Sequence, residues 1–207
     1  MKYYHIGWAH CGCSSLAEAF SQISEWHPEL RIKSIRFGEP IIEVEGKGIR
    51  LRDLLKQNRD MARSPLFGLD EYNVILEPEV DHHSDSVPFW QYLAENDGDV
   101  KFIVTHREPI DAVESHYKHI SENSDGVVVY DVKDVVKKIY DTRYTQTLYL
   151  NAIKEFFKNT DRLLTMDIAH GDGYEKLLPF LGLDIPDDLP QFPHMNQHNS
   201  DQISVRL

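Results

Sequence analysis

The chain has 207 residues, 41% hydrophobic and 27% charged, values that exclude wholesale disorder and predict one globular domain over residues 1–207. Its 34 acidic against 22 basic residues leave a formal net charge of −12, a surface that repels polyanions, so no nucleic-acid or membrane partner is expected. No apolar run reaches the roughly eighteen residues that span a bilayer, and the N-terminus MKYYHIGWAHCG lacks the layout of a secretion signal, so a cytoplasmic location is expected.

Residues 2–7 (KYYHIG) read as a buried strand that enters a glycine turn. A helix over 14–26 follows, with Leu16, Phe20 and Ile23 at helical spacing, Ser14 in the N-cap place and Glu18 in the first turn. Residues 33–45 are weakly β-like and 51–61 suit a short helix. Residues 72–76 (YNVIL) form a second clear strand, 88–95 a helix, and 101–105 (KFIVT) a third strand. A helix over 109–120 opens on Pro109, and 132–158 is a long helical stretch, in one piece or two. Residues 162–166 (RLLTM) read as a fourth strand, and a helix over 174–181 stops at Gly182. The tail from Asp184, rich in Pro, Asn, Gln and His, is expected to lie extended on the surface. Strands separated by helices imply βαβ units and a parallel sheet, whose ligands sit beyond the carboxyl ends of the strands. That directs attention to residues 7–15, 77–83 and 106–109.

The first of these segments, GWAHCGCS from Gly7 to Ser14, has the spacing G-x-x-x-x-G-K-[ST] of a Walker A loop except at Cys13, which stands where the lysine belongs. Gly12 lets the backbone approach an anion, successive N–H groups and the helix dipole hold it, and Ser14 and Ser15 add hydroxyls. Without the lysine, ordinary NTP hydrolysis loses the cation that reaches the β- and γ-phosphates. The third segment is KFIVTHREPIDAVESHY. There Arg107 ends a strand and Ser115 sits two turns into the next helix, residue types suited to a phosphate.

These motifs resemble those of the sulfotransferases. The stretch from Ala9 to Leu16 is similar to the family loop P-K-x-G-T-[TS], with His10 in the lysine place and Cys13 in a threonine place. Residues 101–117 resemble K-x-I-x-x-x-R-[DE]-P-x-x-x-x-x-S-x-Y, and FLGL at 180–183 with FPHMN at 192–196 resembles the family's late F-L-G-[LIV]…F-P-x-x-N segment. The resemblance implies a three-layer P-loop-type α/β fold with a central, mainly parallel sheet flanked by helices. It also implies 3′-phosphoadenosine 5′-phosphosulfate (PAPS) as co-substrate, with no metal. His10, Cys11, Gly12, Cys13, Ser14 and Ser15 would hold the 5′-phosphosulfate, and Arg107 and Ser115 the 3′-phosphate.

Sulfuryl transfer also needs a base for the acceptor proton. Glu77, the first residue after a strand, is the candidate, as in carbohydrate sulfotransferases, although Pro78 follows it where the family has lysine. His82 and His83 are the rivals. Cys-Gly-Cys lacks the C-x₂-C spacing of zinc knuckles, so the neighbouring histidines and cysteines are not read as a metal site. The expected activity is transfer of a sulfuryl group from PAPS to a hydroxyl or amine of a small molecule or glycan. The alternatives are a catalytically degenerate nucleotide-binding protein on the same fold and a nucleotide kinase or NTPase.

Overall fold

A strand that is apolar along its whole length, as Val74–Leu76 is, needs cover on both faces. A computed structural model describes residues 1–7, 11–30, 32, 34–36, 42–44, 46–64, 66–76, 89–122, 130–195 and 205–206. In chain order its elements are β1 (Lys2–His5), α1 (Cys13–Trp26), β2 (Ser34–Arg36), β3 (Ile42–Val44), β4 (Lys47–Ile49), α2 (Leu51–Asp60), β5 (Val74–Leu76), α3 (Phe89–Asn96), β6 (Val100–Thr105), α4 (Pro109–Glu122), β7 (Tyr130–Asp131), α5 (Val132–Phe157), β8 (Leu163–Met166), α6 (Tyr174–Leu181) and β9 (Val205–Arg206).

Five strands form one parallel sheet in the order β2-β5-β1-β6-β8. In the centre His5 pairs with Leu76 on one side and Ile103 on the other. Alternation along β6 divides the core. Phe102 and Val104 face a layer built from α2, α3 and the end of α5, where Leu54, Leu93, Ile153 and Phe157 are buried. Ile103 faces the opposite layer of α1 and α6, with Phe20, Ile23, Leu177 and Leu178. The result is the expected three-layer α/β arrangement.

The connection after β1 leads toward β2 at one edge, whereas that after β6 leads toward β8 at the other. The order therefore reverses between β1 and β6, which opens a crevice at their carboxyl ends. Helix α5 runs against the strands. Phe157 near its end packs on Phe102 at 4.9 Å, while Tyr149 donates its hydroxyl to Ile6 O (2.7 Å) beside the crevice. The first half of α5 therefore extends past the sheet's carboxyl edge.

Two expectations need correction, the cap of α1 and the lie of the tail, and two others become definite. Helix α1 begins at Cys13 on a Gly12 N-cap, so Ser14 is not the cap and Glu18 falls beyond the first turn. The long helical stretch is one uninterrupted helix, capped by the Asp131 carboxylate, which accepts from Lys133 N (2.7 Å). The weak β-like stretch contains β2 and then β3, which pairs antiparallel with β4 across Gly46 (φ 74°). The tail does not simply lie on the surface: Phe192 is buried against Tyr174, with ring centroids 4.9 Å apart. Its end adds β9, paired in parallel with β7.

Candidate functional site

Two segments meet at the crevice, and each is positioned by a strand end. At the end of β1 the His5 ring is buried, with Nε2 2.7 Å from Thr105 Oγ1 at the end of β6. Gly7 lies directly against this pair, and a Cβ there would overlap both side chains. Glycine at this position thus lets the loop leave the sheet over a polar bridge between the two central strands.

At the other end of the loop, Gly12 caps α1 in the left-handed region (φ 100°). A Cβ at Gly12 would lie 2.9 Å from Ile168 Cδ1, so glycine is required for conformation and for space. Gly12 offers α1 no capping side chain, and the helix's first backbone bond runs from Leu16 N to Gly12 O (2.9 Å). The amides of Ser14 and Ser15, in the first turn, thus have no intrahelical acceptor, and with the helix dipole they can face an anion. Ser14 and Cys13 are half-buried. Ser15 is buried, and its Oγ accepts from Met195 N of the tail (3.0 Å).

Cys11 differs from its neighbours. Its thiol is buried, accepts from Gln146 Nε2 of α5 (3.5 Å), and is pushed up to about 12 by burial. It stays neutral and points inward, so only its backbone can serve the loop. The Arg107 charge and main chain act on this thiol in the opposite direction, which sets Arg107 beside the loop. Arg107 is half-buried, and its guanidinium forms no hydrogen bond or ion pair with the described residues. Ser115, also half-buried, lies in α4.

A charged cluster adjoins this region. His106 N donates to Met166 O (3.0 Å) across β6 and β8, so the next residue along each strand, His106 and Asp167, comes together. Asp167 Oδ2 lies 3.7 Å from His106 Nδ1 and 3.0 Å from His170 Nδ1. Burial lowers the His106 pKa against the opposing pull of Asp167, whereas the hydrogen bond to Asp167 raises that of His170. Asp172 accepts from Asp167 N (2.7 Å) and pairs with Lys176 (2.6 Å). Burial raises the Asp172 carboxyl, but these two partners outweigh it and the net direction is down. In sequence only the D-x-x-H spacing of Asp167 and His170, just after a strand, hinted at this cluster.

His10, Glu77, His82 and His83 lie outside the described residues. Among the described residues no group of three or more His, Cys, Asp and Glu side chains is arranged to hold a metal, and no helix is long and apolar enough to cross a membrane. The arrangement at the crevice can hold an anion through backbone N–H groups and one cation.

No curated protein matches the chain by sequence. Among solved structures, the crystal structure of mouse sulfotransferase SULT7A1 complexed with PAP matches it at a TM-score of 0.53 and 16% identity. That match covers 90% of this chain but 59% of the mouse chain, so the chain spans well under two thirds of that relative's length. A family model described as a sulfotransferase domain matches residues 5–200. With residues 5–200 matched, nearly the whole length, the chain belongs to the sulfotransferase family.

Proposed function

We propose that this protein is a PAPS-dependent sulfotransferase that moves a sulfuryl group to a hydroxyl or amine of a small molecule or glycan. The observation that carries the reading is the meeting, at the reversal point of the sheet, of the Gly12-capped α1 N-terminus with the half-buried Arg107, whose guanidinium pairs with none of the described residues. The mouse relative was solved with PAP, the product such a transfer would leave. The reading takes residues 1–207 as one domain and the cytoplasm as its location.

In this reading the N–H groups of residues 11–15, with the hydroxyls of Ser14 and Ser15, hold the 5′-phosphosulfate. Arg107 and Ser115 hold the 3′-phosphate. The acceptor oxygen or nitrogen attacks sulfur in line as the bond from sulfur to the phosphate oxygen breaks. The departing phosphate takes the electron pair, and Glu77 takes the acceptor proton. His10, in the place of the family lysine, faces the charge that grows on the leaving phosphate, where a donor matters most in the transition state. Should His10 fail in that task, the protein would bind nucleotide without turnover. That is the second reading, and it is favoured only by the substitution itself.

Calorimetric titration with PAP and with AMP tests the proposal. PAP should bind more tightly, because a charge-assisted contact contributes about 1.5–3 kcal/mol. Arg107→Ala should remove most of that difference. Glu77→Gln should keep PAP affinity while turnover falls by about two to four orders of magnitude. Equal affinity for PAP and AMP in the wild type sinks the reading. Full activity of Glu77→Gln moves the base to His82 or His83.

A further inference from the structure

The tail segment 192–195 reaches the same helix end that the proposed function uses, and it is seated rather than draped. Phe192 is 8% exposed and packs on Tyr174. A Cβ on Gly173 would stand 3.0 Å from the Phe192 Cβ, so the seat exists because residue 173 is glycine. Tyr174 is itself fixed, donating to Gln22 Oε1 of α1 (2.7 Å) and lying edge-on to Trp26 at 5.0 Å. Three residues beyond the anchor, Met195 N donates to Ser15 Oγ in the first turn of α1 (3.0 Å).

That bond has a consequence for the proposed anion site. A serine in a helix's first turn can bend its hydroxyl toward nearby backbone groups and compete with a ligand for them. Here the Ser15 Oγ is held by the tail, and the Gly12 N-cap offers no side chain to the first turn of α1.

We propose that residues 192–195 act as a positioning strap: the Phe192 anchor and the Met195 N–H hold Ser15, and through it the first turn of α1, in the geometry that binds the 5′-phosphosulfate. The strap rests on the proposed function for its ligand but not for its structure. Its role is positional, since Met195 acts through Ser15.

The test compares Met195→Pro, which deletes the N–H, with Met195→Ala, which keeps it. PAP affinity is measured by calorimetry, and exchange of the Leu16 amide by hydrogen–deuterium exchange. Met195→Pro should weaken PAP binding about five- to tenfold relative to Met195→Ala, the value of one hydrogen bond, and speed Leu16 exchange. Phe192→Ala removes the anchor that seats the segment, leaves Ser15 unchanged and should match the proline variant, which covers the case in which proline prevents folding. Equal PAP affinity and equal Leu16 exchange in all three variants overturn the strap. If the wild type binds no PAP, the proposed function fails. The strap then stands or falls on Leu16 exchange alone, which needs no ligand.

Discussion

His5 shows how a single buried residue couples the proposed site to pH. It is 1% exposed, its Nε2 meets Thr105, and its Nδ1 has no hydrogen-bond partner among the described residues. Burial pushes its pKa down to about 3. The unfolded chain takes up this proton near pH 6.5, while the folded protein refuses it until far lower. The stability His5 contributes is therefore complete above about pH 6.5 and is lost as pH falls toward 3, at up to about 1.4 kcal/mol per pH unit. His170 has the opposite sign, because its folded pKa is raised by Asp167. Its contribution is present below the unfolded value and disappears as pH rises through the folded one. We expect His5→Gln to show a shallower fall of the urea midpoint than the wild type between pH 6.5 and 4.5. Parallel slopes in the two proteins would mean that the proton uptake belongs elsewhere.

Among the elements, the central strands were the most legible in sequence. β5 and most of β6 are apolar runs because both faces of an inner parallel strand are covered. β2 and β3 were legible only as one weakly β-like stretch and β4 not at all, since each has only three residues and gains its order from pairing rather than from its own pattern. The glycine loop and Arg107 could be read because each follows a strand directly. The cluster of His106, Asp167 and His170 could not, because only the β6–β8 register brings its members together. The seating of the tail escaped for a similar reason: Phe192 is one apolar residue in a polar segment, and its partner Gly173 gives no apolar signal. Helix α5 was legible as a helix but not as a support for the loop. Its Tyr149 hydroxyl binds Ile6 O, a carbonyl at the root of the loop, on a residue that is fully buried. Tyr149→Phe should cost about 1–3 kcal/mol in urea unfolding, because the carbonyl loses its partner with no direct access to water. A loss below about 0.5 kcal/mol would show that another donor, or water, takes the place of the hydroxyl.

At the scale of the whole molecule, the net charge of −12 and the proposed anion site oppose each other, and distance decides which prevails. Arg107 and the α1 amides act over a few ångströms in a half-buried crevice, where salt screens little. The acidic surface acts over the Debye length, which is about 30 Å at 0.01 M salt and about 8 Å at physiological ionic strength. A polyanion such as PAP therefore meets repulsion on approach and attraction only on arrival. The outer half of α5 offsets part of this near the crevice, with Lys133, Lys137, Lys138 and Arg143 against Asp134 and Asp141. Those six charges leave a surplus of two positive (four minus two), small beside the total. Stopped-flow association with PAP should therefore speed up as ionic strength rises from about 0.01 M to 0.15 M, while dissociation changes much less. Most nucleotide sites on basic proteins behave in the reverse way, because their long-range field attracts the ligand. If association slows with added salt, the field at the carboxyl edge is positive enough to reach past the acidic surface, and the outer half of α5 becomes the element to neutralise next.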